Sequence, residues 1–155
     1  MDIQMHKVFI YGTLKRGFPN FDSAPDHNGM TGAGFLSPAQ TVERFPLVIG
    51  GSWFTPYLIP EPGQGFQVHG ELFTVDDAKL KELDRLEGTH IPNAYRRTKV
   101  RIVSYHSEPP QDPVTLDVWT YTRERHTIDG IHSEPLESYP LDPRYVVPHQ
   151  RPRSF

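Results

Sequence analysis

Glu87 is the residue whose placement most needs a chemical explanation. It closes the segment 75–88, "VDDAKLKELDRLEG", which the spacing predicts as a helix. Leu80, Leu83 and position 87 follow one another at i, i+3 and i+7, so the carboxylate falls on the apolar stripe rather than the wet face. It also falls in the last turn, where the helix dipole disfavours negative charge. Burial and the dipole both raise a carboxyl pKa, toward the range in which a group can take and return a proton near neutrality. Two structural readings compete with this one: the side chain swings out at a frayed end, or it pairs with Arg96 or Arg97. The second candidate is the loop that opens with Tyr11, Gly12, Thr13 and Leu14, directly after the apolar run Val8–Tyr11. Backbone N–H groups at such a strand end can hold an anionic or carbonyl oxygen, although a tight turn would satisfy the same residues.

Other chemistries find no support. "GTLKRG" lacks the glycine spacing and the Gly-Lys-Ser/Thr end of a phosphate loop. No G-x-S-x-G elbow is present for a serine nucleophile. The eight His are scattered without a metal-ligand spacing. The chain has no Cys, which removes disulfides and thiolate catalysis. A net charge of −3 lacks the basic excess of a nucleic-acid binder. No apolar run has the length of a membrane span. The amino terminus lacks a secretory pattern, which favours a cytoplasmic setting. Lys15 and Arg16 are expected to be solvated, as is one face of "YRRTKVR".

The elements that must position these residues are mostly strands. The 155 residues suit one domain, and nine Phe, seven Tyr and two Trp supply its buried surface. The 16 Pro and 12 Gly speak against a helical bundle. Strands or strand ends are expected over 41–51 and 53–60, and strands over 66–75, 98–105 and 115–122, with a hairpin loop at 106–113. Asp76 or Asp77 caps the helix and Gly88 stops it. The Pro-rich extension 124–155 either wraps the domain or is partly disordered. The expected fold is α+β: a small, mostly β, barrel-like sheet with one principal helix.

Five stretches in fixed order, "VFIYGTLKRGFPN", "FPLVIGG…TPYLI", "VHGELFTVDDAKLKELDRLEG", "AYRRTKV" and "VWTYTRE", resemble the γ-glutamylcyclotransferase-like (AIG2-like) superfamily, and within it the γ-glutamylamine cyclotransferase branch, across roughly residues 7–123. The resemblance implies a mixed-strand barrel with a side cavity. It implies that Tyr11, Gly12, Thr13 and Leu14 bind a γ-glutamyl group, that Glu87 transfers protons, and that Tyr95 and Tyr121 line the same cavity. The implied reaction closes the substrate's α-amine onto its γ-carbonyl, releasing 5-oxoproline and an amine without metal or cofactor. The implied partner is a small γ-glutamyl molecule, with neither nucleic acid nor membrane. The leaving group stays open between a γ-glutamyl amine, a γ-glutamyl aminoglycoside, a γ-glutamyl amino acid and glutathione. Acidic residues near the cavity, with Asp22, Asp26, Glu134 and Glu137 as candidates, would favour a polycationic one. A non-catalytic binding module of the same fold is the remaining alternative.

Overall fold

A computed structural model describes residues 3–105 and 113–152; apart from Pro113, the expected hairpin loop at 106–113 lies outside them. Strand β1 (Met5–Ile10) pairs antiparallel with β5 (Phe66–Asp76) and parallel with β7 (Val114–Thr122). Strand β2 (Gly34–Phe45) lies between β5 and β6 (Arg96–Ser104), and β6 returns to β7 in unbroken register. The order β1-β5-β2-β6-β7 closes on itself, which removes the free edges an open sheet would expose. Strands β3 (Leu47–Gly50) and β4 (Thr55–Leu58) form a separate hairpin. The expected mixed-strand barrel with one principal helix is what the chain forms.

Burial on both faces explains the unbroken apolar run of β1. Phe9 points into the barrel with Val68, Leu72, Val100, Ile102 and Val118. Its neighbours Val8 and Ile10 point outward and pack with Phe73, Val75, Leu80 and Leu83 beneath α1 (Asp77–Glu87). Alternation therefore disappears from β1 because both faces meet apolar partners. The helix starts as the sequence predicts: the Asp76 side chain accepts the Lys79 amide at 2.7 Å. Gly88 ends it in the left-handed region, φ 76°, and its amide donates to the carbonyls of Arg85 and Asp84.

Two expectations need correction. The run 41–51 is not one strand: Pro46 separates β2 from β3. The first half of β2, residues 34–40, was not expected as a strand at all, because Gly34 and Pro38 count against one. It forms because the ladder there is irregular, with register shifts between Phe35 and Ser37 and between Gln40 and Arg44. Pairing with β6 begins only at Ala39, one residue past the proline that lacks a donor. The chain after β7 runs back along the hairpin. His132 N donates to Ile49 O and Leu136 N to Leu47 O, both at 2.8 Å, and the Tyr139 side chain joins the barrel core, 1% exposed.

Replacing the helix cap tests the start of α1. Asp76→Ala is expected to lower unfolding stability by about 1 kcal/mol in a urea melt, with an unchanged slope.

Candidate active site

The loop after β1 and the end of α1 meet at one cavity. Its empty space, counted out into open solvent at the mouth, is about 340 Å³, and its lining comprises Phe9, Ile10, Tyr11, Gly12, Thr13, Leu14, Pro56, Glu87, Tyr95 and Tyr121. All seven residues singled out from the sequence are in that wall. Phe9, Ile10 and Pro56 were not singled out; the only sign of Pro56 was its place in "TPYLI", which carries no chemistry to flag.

Gly12 is required by a close approach. A Cβ there would sit 2.9 Å from the Pro56 side chain, so a side chain would push β4 off the loop. The loop itself is built from turns, with Lys15 N donating to Gly12 O at 3.1 Å and Phe18 N to Lys15 O at 3.0 Å. Among the described residues, none of the hydrogen bonds that fix the loop uses the amides of Gly12, Thr13 or Leu14 as donors. Lys15 is not simply solvated, as the sequence suggested. Its Nζ donates to Tyr139 O at 3.1 Å and sits 4.3 Å from the centre of the Phe18 ring, and burial lowers its pKa despite nearby Glu71. Arg16 is likewise engaged: its amide and Nε both donate to the Glu71 carboxylate, at 2.7 and 2.9 Å.

Glu87 has no hydrogen bond or ion pair among the described residues. Arg97, a partner the sequence offered, instead pairs with Asp84 at 3.0 Å and stacks on Trp119. The carboxyl neither swings free nor finds a counterion; the residue is partly buried and faces the cavity. Burial raises its pKa from 4.5 to about 7, and the charge of Arg151, in the extension after β7, opposes that rise.

The three tyrosines have committed hydroxyls. Tyr11 donates to Tyr121 O at 2.6 Å and accepts from Leu58 N at 3.3 Å. Tyr95 donates to Pro56 O at 2.7 Å. Tyr121 donates to Asp84 Oδ1 at 2.8 Å, the same oxygen that holds Arg97. Burial pushes all three phenols well above their ordinary range, and the Glu87 charge pushes each further. They stay neutral, which makes Glu87 the one wall residue that titrates near neutrality. None of Asp22, Asp26, Glu134 and Glu137 lines the cavity, so the acidic rim considered for a polycationic leaving group is absent from this wall. Among the described residues no three His, Asp or Glu side chains cluster as metal ligands would, and no helix is long and apolar enough to cross a membrane.

A closed barrel with one principal helix is a fold with known members. The model of the family "Gamma-glutamyl cyclotransferase, AIG2-like" matches residues 8–141. A gamma-glutamylaminecyclotransferase of Mus musculus is 37% identical over 137 residues, 87% of this chain and 89% of that protein. Its counterpart of the same name in Homo sapiens is 38% identical over 125 residues, 77% and 79% of the two chains. A crystal structure of an AIG2-like protein from Mus musculus superposes with a TM-score of 0.71 at 31% identity, covering 97% of this chain and 98% of that one. The chain belongs to the γ-glutamyl cyclotransferase, AIG2-like family of enzymes.

The raised pKa has a stability consequence with a definite sign. The folded protein holds the Glu87 proton more tightly than the unfolded chain does. Stability is therefore lost as pH rises from about 4.5 through about 7. Glu87→Gln removes that penalty, and is expected to be neutral below pH 4.5 and stabilising at pH 8 by up to roughly 3 kcal/mol, read as paired urea melts at the two pH values.

Proposed function

We propose that this enzyme is a γ-glutamylamine cyclotransferase in which Glu87 is the catalytic base and acid and the loop Tyr11–Leu14 holds the glutamyl group. The observation that carries the reading is a carboxyl with no hydrogen bond or ion pair among the described residues, on the wall of the same cavity as a loop whose amides donate to none of them; burial raises the pKa of that carboxyl to about 7. The mouse and human relatives carry that name at 37% and 38% identity, which supports the choice of a γ-glutamyl amine as donor.

In this reading the α-carboxylate and the γ-carbonyl oxygen are held by amides of residues 12–14, and the tyrosine rings wall off water. Glu87 takes a proton from the substrate's α-ammonium. The freed amine attacks the γ-carbonyl carbon, forming the C–N bond of a five-membered ring and placing negative charge on the carbonyl oxygen, where amide donors stabilise it. Collapse breaks the bond to the departing nitrogen, which takes the proton back from Glu87. The second proton leaves the α-nitrogen as the ring amide forms and is taken up by the released amine. The products are 5-oxoproline and an ammonium ion, and Glu87 is again a carboxylate. Nucleophile and electrophile share one molecule, so orientation replaces an enzyme nucleophile, at effective molarities on the order of 10⁵ M. The chemistry calls for neither metal nor organic cofactor.

The test is 5-oxoproline release from γ-glutamyl-ε-lysine, γ-glutamyl amino acids, a γ-glutamyl aminoglycoside and glutathione. We expect the first to have the highest kcat/KM, with a profile that rises with pH and levels off above about 7. Glu87→Gln should keep a cooperative melt and lose at least about 10²-fold in kcat. A folded Glu87→Gln enzyme with most of its activity would remove the assigned role; preference for another donor would move the leaving group.

A further inference from the structure

The extension after β7 reaches the binding loop at the buried side-chain amide of Asn20. Asn20, 7% exposed, donates its backbone N–H to Thr13 O at 2.9 Å. Its Nδ2 uses both protons, one on Thr13 Oγ1 at 2.9 Å and one on the Tyr145 hydroxyl at 2.7 Å. Tyr145 is itself fixed. Its hydroxyl also accepts from Arg151 Nη2 at 3.4 Å, Arg151 Nε donates to Val146 O at 2.9 Å, and Val146 N donates to Trp53 O at 3.2 Å in the β3–β4 connection. A second tie runs beside this one, from Lys15 Nζ to Tyr139 O, with the Phe18 and Tyr139 rings 5.8 Å apart.

We propose that Asn20 and Tyr145 are positioning residues for the glutamyl-binding loop: a Tyr145–Asn20–Thr13 relay through which residues 139–151 set the conformation of the unused amides at 12–14. The inference rests on the proposed role of that loop. The loop's own turns are short and partly exposed, and bonds of that kind open readily in water. Asn20 is buried and grips Thr13 at both its carbonyl and its hydroxyl, so it fixes the Thr13–Leu14 peptide plane and the Thr13 side chain. Tyr145 enters because its hydroxyl takes the other Nδ2 proton and so steadies the Asn20 amide on Thr13. An Asn20 released from Tyr145 keeps its backbone bond but loses the constraint on its side chain. Neither residue lines the cavity, so both act through Thr13 rather than on substrate.

Tyr145→Phe keeps the ring and removes only the acceptor. With γ-glutamyl-ε-lysine as donor it should raise KM about fivefold while kcat stays within twofold, because the loop grips ground state and transition state alike. Amide exchange followed by NMR should quicken about fivefold at Lys15, Phe18 and Asn20 and stay unchanged at Val8–Ile10. Asn20→Ala should raise KM further, and the double variant should match Asn20→Ala alone, since both changes cut one relay. An unchanged KM in Tyr145→Phe, a loss carried by kcat alone, or effects that add in the double variant would overturn the relay. If the wild-type enzyme released 5-oxoproline from no donor, the functional reading would fall. Loop exchange in Tyr145→Phe would then decide the relay by itself: faster exchange sustains it and unchanged exchange ends it.

Discussion

Everything at the cavity depends on a carboxyl that the fold declines to neutralise. The cations that act on the cavity tyrosines are engaged elsewhere: Arg97, beside Tyr121, by Asp84 and Trp119, and Arg123, acting on Tyr95, by Thr127 and the ring of Tyr57. Arg151 acts on Glu87 only at a distance, lowering a pKa that burial has raised. An ordinary surface Glu would be ionised and solvated near neutrality, and an ion-paired one would be held in its charged form. Here burial raises the pKa to about 7, in a wall whose other polar side chains are hydroxyls with fixed partners.

The barrel makes this arrangement possible by burying β1 on both sides. Phe9 anchors the strand inside, while Val8 and Ile10 seat α1 outside. The strand's exit loop and the helix's last turn therefore arrive at the same place. Leu80 and Leu83 fix the rotation of α1 against β1 and β5, and position 87 then turns toward the cavity by helical geometry alone. Asp84, one turn earlier on α1, extends the arrangement to β7 by accepting the Tyr121 hydroxyl. The hairpin β3–β4 contributes Pro56 from the far side, against a glycine that leaves room for it.

Much of this was legible in the sequence, for identifiable reasons. The helix announced both ends through Asp76 and Gly88, and its leucine spacing alone put Glu87 on the inward stripe. The apolar run 8–11 marked β1, although only the topology shows which of its residues face the barrel and which the helix. Tyr95 and Tyr121 were named through family resemblance, since nothing in their spacing tells a cavity tyrosine from a core one. The first half of β2 was hidden because bulges let a strand accommodate Gly34 and Pro38, and local propensity does not foresee bulges. Asn20, Tyr145 and Arg151 were illegible for a different reason. Asn20 and Tyr145 meet across 125 residues of chain, between a loop and an extension without periodicity, and Arg151 acts on Glu87 from that same extension.

The titration of Glu87 near neutrality in the unliganded protein is open to direct measurement. A ¹³C-detected pH titration of the Glu87 side-chain carboxyl, assigned by its loss in Glu87→Gln, would report the midpoint site by site. A midpoint of about 7 is expected. A midpoint near 4.5, the value of an ordinary exposed Glu, would contradict it.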